Sequence, residues 1–250
     1  DPAAPQASAN TARRMGCTSV AFTSTAPVIF HAYAVDVAQA CREVGVRTVA
    51  VTAGFVCPEP REEFYGHMDA ANIDLKGFSE DFYRKLAAGS LEPVKDTLTY
   101  VCNETDVWVE ITTLLIPGWN DSDAELQALT RWVVETLGPH VPLHFTAFHP
   151  DWKLRDVGPT PGSTLDRARN IAMQNGAHFA YTGNVRDKAG GSTYCPGCGL
   201  RVIGRDWYVL SEWHLTAKGS CEFCGTPIPG HFDALPGSWG AHRQPVKIGE

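Results

Sequence analysis

Four cysteines near the C-terminal end of the sequence have a spacing that suits metal coordination. They form two pairs, in "CPGC" and "CEFC", with 22 residues between the pairs: Cys195, Cys198, Cys221 and Cys224. A glycine follows each pair, and glycine allows the tight turn through which backbone N–H groups point at thiolates. Two such pairs at this separation are typical of zinc ribbons.

Four thiolates complete a tetrahedral shell around Zn²⁺ and leave no position open for a substrate. The surrounding segment is also short, about 45 residues, which is too few to be stabilised by core burial alone. We therefore predict a structural zinc site at these cysteines, with an iron site or a redox-active dithiol as the alternatives. Any reactive centre must then lie in the earlier part of the chain.

The stretch "AANIDLK" places a row of polar residues on one face of a predicted strand. Alternation puts Asn72, Asp74 and Lys76 on that face, opposite three apolar residues. A strand of a parallel sheet covered by helices is normally apolar on both faces, and ligands bind at the carboxyl ends of such strands. A ligand site is one interpretation; an internal Asp74–Lys76 ion pair or a solvent-exposed edge strand is the other.

Two further predicted strands carry polar residues. "VPLHFTAFHP" ends with His149 before a proline, and "VEITT" offers Glu110 and Thr112 on one face. A lone histidine at a strand end is more often structural than catalytic. Three strands that each bring polar residues to one rim nevertheless favour a closed or nearly closed barrel with a central ligand.

Strand patterns alternate with helical patterns over the first 185 residues. Six strands are predicted at 17–23, 47–52, 70–76, 106–118, 141–150 and 177–183. Helices are predicted between them, including one from about Ser79 to Cys102 and one that begins with the capping box Ser122-x-x-Glu125. Strands separated by 10–15-residue helices indicate βα units around a parallel sheet. An open doubly wound sheet and a partial TIM-like barrel both fit this pattern.

The pattern changes after Gly190, where helical periodicity stops and "RDWYVLSEWHL" reads as a hairpin. We predict a βα barrel over 1–188, a zinc-ribbon module over 189–235 and a loose tail over 236–250.

Composition excludes several classes of function. The net charge of −7 provides no positive field for nucleic acid or an anionic membrane, and no apolar run is long enough to span a bilayer. The N-terminal residues contain no signal-peptide pattern. The remaining cysteines are scattered, and we expect them to be small buried hydrophobes in a reducing, cytoplasmic environment: Cys17, Cys41, Cys57 and Cys102.

Four blocks of the sequence resemble the radical SAM enzymes of the AmmeMemoRadiSam type, relatives of the pyruvate formate-lyase activating enzymes. The blocks are "ANIDLKGFSEDFYRKL", "EITTLLIPGWNDSDAEL", "FTAFHPDWKLRDVGPTP" and "YTGNVRDKAGGSTYCPGCG". They occur in order, and the resemblance runs from about Gly16 to Phe232.

The resemblance implies a partial TIM barrel that binds S-adenosylmethionine (SAM) at a [4Fe-4S] cluster held by a CxxxCxxC loop. Carried over residue by residue, it implies that Asp74 and Lys76 contact SAM. It also implies that His149 contacts the sugar or carboxylate end of SAM. This assignment gives the polar strand ends a ligand role.

The sequence departs from the family at several positions. It contains no CxxxCxxC motif, which in the family precedes the segment matching 17–23, so we expect the first βα unit and the cluster ligands to be missing from this chain. Two acidic family positions are occupied by Ala26 and Ala32, and a family cysteine is replaced by Ala87. Loss of carboxylates that face a cationic sulfonium should weaken its binding.

The first functional hypothesis is therefore a radical SAM enzyme body. The intact protein would cleave SAM reductively and abstract hydrogen from a substrate, while this chain alone would be inactive. The alternative is a catalytically silent barrel whose zinc ribbon binds proteins, with Memo-like or AMMECR1-like partners implied by the family. A thiol redox enzyme that uses the CxxC pairs is a third hypothesis.

Overall fold

A sheet of six parallel strands, ordered as they occur in the chain, forms the centre of this α/β fold in the computed structural model. The structure describes residues 4–23 and 27–248. The strands are β1 (Ser19–Phe22), β2 (Arg47–Thr52), β3 (Ala70–Asp74), β4 (Trp108–Leu115), β5 (Leu143–Ala147) and β6 (Ala180–Gly183). All six agree with the strands predicted from the sequence, which confirms the parallel sheet.

Seven α-helices are found among the described residues. They are α1 (Pro5–Arg14), α2 (His31–Glu43), α3 (Pro58–Tyr65), α4 (Glu80–Phe82), α5 (Glu92–Glu104), α6 (Asp123–Trp132) and α7 (Gly162–Gln174). A 3₁₀ turn at Pro27–Phe30 precedes α2, and π-helical turns at Tyr83–Ala87 and Val133–Leu137 extend α4 and α6. None of these helices is both long and apolar enough to span a membrane.

Two differences from the predicted helices have local causes. The sequence analysis did not predict α1, whose short apolar side is built mainly from alanines, although Pro5 begins it and two arginines occupy its last turn. The single helix expected from about 79 to 102 is interrupted, because Ala88 adopts φ +53° beside Gly89 and ends the π-helical turn.

The chain divides into two compact units. The first comprises the described residues up to Leu75, Ala88–Glu110 and the segment from Gln244 onward; the second comprises Lys76–Ala87 and Ile111–Arg243. The predicted domain boundary at residue 188 stays a prediction.

The first unit contains β1, β2 and β3, with α1 packed against α2. Its core includes Ala50, Phe64, Ile73 and Leu98, each almost completely buried. Alternation along β3 is as predicted, because Ala71 and Ile73 are buried while Asn72 and Asp74 are half-buried.

The second unit contains most of β4, together with β5 and β6, and α6 packs against α7. Every second residue of these strands is buried, for example Ile111, Phe145 and Ala180. The intervening residues point to the opposite face and are mostly half-buried. This face therefore carries most of the polar side chains of the strands, with Thr113 and Thr182 as buried exceptions.

Three antiparallel strands follow the parallel sheet within the second unit: β7 (Thr193–Tyr194), β8 (Arg201–Asp206) and β9 (Val209–Trp213). The predicted hairpin is confirmed, with Trp207 and Tyr208 at its turn. A small core joins this module to the segment before β6, because Phe179 clusters with Val202, Ile203 and two cysteines.

Candidate functional site

The four C-terminal cysteines converge on one point of the second unit. Their sulfur atoms all lie within 4.8 Å of one another, so the group could hold a metal ion. Each pair forms the same turn: Gly199 N donates to Cys195 O and Gly225 N donates to Cys221 O, both at 2.8 Å. Both glycines have positive φ, +73° and +78°, a conformation that side chains disfavour. The spacing in the sequence therefore corresponds to a real cluster.

Burial and hydrogen bonding differ among the four thiols. Cys195 and Cys221 are buried, whereas Cys198 and Cys224 are exposed. The Thr226 hydroxyl, 3.2 Å from the Cys224 sulfur, and the Thr226 backbone N–H lower the pKa of Cys224 to about 6. The Leu200 backbone N–H lowers the pKa of Cys198, but burial and the three neighbouring sulfurs raise it to about 12. A cation at the centre would stabilise all four as thiolates.

The scattered cysteines agree with the predicted burial only in part. Cys41 is buried and burial raises its pKa, and burial raises the pKa of the half-buried Cys102 to about 12. The expectation of burial is wrong for Cys17 and Cys57, which are exposed because they lie in the connections before β1 and α3.

Asp74 is the last residue of β3 in the first unit and is half-buried. Its strand neighbours Ile73 and Leu75 are completely buried, so the carboxylate lies on the opposite, polar face with Asn72. The structure thus agrees with the predicted face alternation at this strand end.

Lys76 begins the second unit and is half-buried. Asn120, only 2% exposed, donates from Nδ2 to Lys76 O (2.7 Å) and to Leu114 O (2.9 Å), while its Oδ1 accepts from Ile116 N (2.7 Å). One buried amide therefore joins the Lys76 backbone to the carboxyl end of β4.

Two more side chains hold the segment that follows. Lys76 N donates to the Tyr83 hydroxyl (3.1 Å), and Phe78 N donates to Glu125 Oε1 (2.7 Å). Gly77 lies between them, and a Cβ there would approach the Phe82 ring to 2.7 Å, so a side chain is not accommodated without movement. Burial raises the pKa of Glu125, which the Phe78 N–H partly offsets.

The capping box is confirmed in part. Ser122 Oγ accepts from Glu125 N, as predicted, but the Glu125 carboxylate binds Phe78 N.

His149 is exposed and lies two residues after the end of β5. Thr160 fixes the backbone just before His149. The Thr160 hydroxyl accepts from Phe148 N (2.9 Å) and donates to Leu115 O (2.5 Å). Thr160 N also donates to Phe148 O (3.0 Å). The segment that carries His149 is therefore anchored to the last residue of β4.

The lysine and histidine segments are thus anchored to adjacent carbonyls at one end of β4, those of Leu114 and Leu115. The sequence analysis missed the anchoring residues Asn120 and Thr160. Both lie in the quoted blocks, within "IPGWND" and "VGPTP", but neither is of a type that performs chemistry.

The structure describes two of the three alanines that replace family residues. Ala32 is exposed on α2, and Ala87 is half-buried at the end of the π-helical turn. Ala26 lies outside the described residues.

Comparison with protein families gives a match to the radical SAM superfamily over residues 2–129. The chain belongs to the radical SAM superfamily.

An uncharacterized protein of Methanocaldococcus jannaschii is 37% identical over 225 residues, which is 90% of this chain and 66% of that protein. A 4-hydroxyphenylacetate decarboxylase activating enzyme of Clostridioides difficile is 22% identical over 178 residues, 66% of this chain and 55% of the enzyme. The chain therefore spans less than two thirds of the length of these relatives.

Solved structures support the fold. A domain of the pyruvate-formate lyase-activating enzyme from Bacteroides vulgatus has a TM-score of 0.58 at 16% identity, covering 66% of this chain and 99% of the domain. A radical SAM methyltransferase from Sphaerobacter thermophilus has a TM-score of 0.56 at 18% identity, covering 70% of this chain and 54% of the methyltransferase. The predicted relation to the activating enzymes is thereby confirmed at the level of superfamily and fold.

Proposed function

We propose that this chain is the body of a radical SAM enzyme of the AmmeMemoRadiSam type, with SAM bound by Asp74, Lys76 and His149. The observation that carries the proposal is the pair of anchors on β4, which fix the lysine and histidine segments through Asn120 and Thr160. Buried hydrogen bonds of this kind hold backbone segments rigidly, as a preorganised binding site requires.

The residue types suit the cofactor. A carboxylate accepts from ribose hydroxyls or an ammonium group, and an ammonium or imidazole group donates to a carboxylate. Asp74 and Lys76 are half-buried, so contacts with a ligand would be strengthened by partial desolvation. In this family, bound SAM supplies a 5′-deoxyadenosyl radical that abstracts hydrogen from the substrate.

The residues present do not fit a [4Fe-4S] cluster that binds SAM, which needs an iron without a protein ligand. The sequence has no CxxxCxxC motif, and the four clustered sulfurs lie within 4.8 Å of one another, so that together they can complete the shell of one metal ion and leave no position for SAM. We therefore assign the four cysteines to a structural zinc ion in a C-terminal ribbon. We also propose that this chain alone does not cleave SAM, because its sequence contains no CxxxCxxC motif.

A protein-binding role for the ribbon is the second candidate. At the turn between β8 and β9, Trp207, Tyr208 and Val209 are each more than half exposed. Adjacent exposed apolar side chains often mark an interaction surface. Memo-like or AMMECR1-like proteins are the partners that the family resemblance suggests for a catalytically silent barrel.

Calorimetric titration with SAM tests the first proposal. The purified 250-residue chain should bind SAM, and Asp74→Asn should weaken binding at least about tenfold, since a charge-assisted hydrogen bond contributes about 1.5–3 kcal/mol. The matched control is Asp36→Asn, which changes an exposed carboxylate on α2 and should leave the affinity unchanged. Equal affinity in the Asp74 variant and the wild type would contradict the assignment.

An assay of reductive SAM cleavage separates the two candidate functions. With dithionite and SAM, the chain should release no 5′-deoxyadenosine. A longer gene product with an upstream CxxxCxxC should release it after cluster reconstitution. A complete gene product that lacks such a motif would instead support the silent barrel.

A further inference from the structure

One row of side chains crosses the polar face of the sheet in the second unit. Strand register aligns Thr112 of β4 with His144 of β5, and His144 with Tyr181 of β6. All three are half-buried, whereas their strand neighbours on the helix-covered face are buried. The imidazole of His144 stacks on the Tyr181 ring, with centroids 4.9 Å apart and planes at 24°.

The ribbon extends this row beyond the last strand of the sheet. Arg205 of β8 lies over the Tyr181 ring, with its guanidinium carbon 5.8 Å from the centroid. Its Nη1 donates to Thr193 Oγ1 (2.7 Å), and Thr193 Oγ1 is 3.0 Å from the Tyr181 hydroxyl. The ribbon is therefore built into the polar face through an arginine, a threonine and a tyrosine.

Arg205 differs from the neighbouring arginine of the same strand. Arg201 forms a two-pronged ion pair with Glu212. Arg205 makes no ion pair with any of the residues that the structure describes, and its side-chain hydrogen bonds, to Gly191 O and Thr193, both use Nη1. Both cations are half-buried, but only one has its charge balanced by the protein.

The unused edge of the guanidinium has a defined recognition geometry. Nε and Nη2 lie side by side, and their two parallel N–H groups match the two oxygens of a carboxylate. The Arg205 side chain is half-buried, and neither Nε nor Nη2 hydrogen-bonds to any of the residues that the structure describes. His144 and Thr112 continue the row with further polar groups.

We propose that Arg205 binds a carboxylate group of the substrate, and that the ribbon thereby contributes a specificity residue to the polar face of the sheet. This inference rests on the proposed radical SAM function, since it names the class of molecule on which that function acts. The ribbon would then have a second role, because a metal ion held by its cysteines would stabilise β7 and β8, the strands that carry Thr193 and Arg205.

Nuclear magnetic resonance titration with sodium acetate tests the proposal on the full chain. The Arg205 Nε–H and the backbone amides of Gly191 and Thr193 should shift saturably with acetate. Sodium chloride at equal ionic strength should not reproduce these shifts. Arg205→Gln should weaken the acetate response of the two backbone amides by about tenfold or more, and Arg205→Lys should weaken it less, because lysine retains the charge but not the paired donors.

Arg201→Gln is the matched control, since it removes an arginine from the same strand that is already paired. It should leave acetate binding unchanged, with metal content reporting that the ribbon is intact. Absence of saturable shifts in the wild type, an unchanged response in Arg205→Gln, or tighter binding of inorganic phosphate than of acetate would each overturn the proposal. SAM titration of the same samples keeps the two proposals distinct, because failure to bind acetate with normal SAM binding contradicts only the carboxylate site.

Discussion

The cysteine centre and the carboxyl end of β4 lie in the same compact unit, yet they hold their functional groups by opposite means. In the ribbon, each pair of sulfurs is fixed by a turn of five residues, closed by one backbone hydrogen bond and a glycine of positive φ. At the strand end, the segments of Lys76 and His149 are fixed by side chains 44 and 12 residues away in sequence.

This difference decides how each region should respond to change. If the four cysteines hold zinc, as proposed, the ribbon should depend on that metal, because its core is small and two of the cysteines are part of that core. The strand end depends on buried hydrogen bonds between segments and should not respond to metal at all. Variants of each region can therefore be compared for effects on metal content, stability and SAM affinity.

Removing a buried sulfur should have the largest effect. Cys221→Ser deletes one of four thiolates, and structural zinc sites contribute on the order of 10 kcal/mol to folding of their modules. We expect metal content to fall from about one zinc per chain to near zero, with loss of ordered ribbon amides in nuclear magnetic resonance spectra. Cys17→Ser, at an exposed cysteine outside the ribbon, should retain the metal. Full metal content in Cys221→Ser would contradict the assignment.

Asn120→Ala should have the next largest effect, and no effect on metal. It leaves two carbonyls and one N–H of the anchor without their partner, and we expect a loss of about 2–4 kcal/mol in unfolding free energy by urea titration. SAM affinity should fall with it, because Lys76 loses its fixed position. Asn10→Ala, at an exposed position on α1, should change neither quantity. Wild-type SAM affinity in a folded Asn120→Ala protein would show that the anchor does not serve the site.

Thr160→Val tests the second anchor with an almost isosteric change. Loss of the hydroxyl removes the hydrogen bonds to Phe148 N and Leu115 O and should cost about 1–3 kcal/mol in unfolding free energy. Thr164→Val is a suitable control, because Thr164 is also buried but its hydroxyl makes no hydrogen bond to any of the described residues; its effect should stay within about 0.5 kcal/mol. Similar destabilisation of both variants would mean that the Thr160 hydrogen bonds do not anchor the segment.

Glu125→Gln should have the smallest effect, and that effect should depend on pH. Burial raises the pKa of Glu125 in the folded state. The side chain of Glu125 therefore contributes favourably to the unfolding free energy below its unfolded-state pKa, and this contribution is lost as pH rises through its folded-state pKa. Gln keeps an acceptor for Phe78 N without the buried charge. Relative to wild type, Glu125→Gln should therefore gain stability between pH 4 and pH 7.5, by less than about 1 kcal/mol after solvent screening. A gain that is independent of pH would contradict this account.

The sequence was sufficient for the strands, for the cysteine cluster and for the face on which Asp74 lies, because each is encoded by local spacing. It was insufficient for the anchors, since Asn120 and Thr160 act on partners that only folding brings near. The same limit applies to Glu125: its spacing from Ser122 predicted a capping box, but the carboxylate binds a backbone N–H 47 residues away. Arg205 and Tyr181 meet for the same reason.

We propose that the four cysteines hold a structural zinc ion, so that the SAM site is built by the strand ends and not by the ribbon. Electron paramagnetic resonance of the chain after anaerobic incubation with iron and sulfide, reduced with and without SAM, tests it most directly. We predict no [4Fe-4S] signal that responds to SAM, because zinc, which has no unpaired electron and is silent in this measurement, occupies the four cysteines. A SAM-sensitive [4Fe-4S] signal that disappears in Cys221→Ser would contradict the claim.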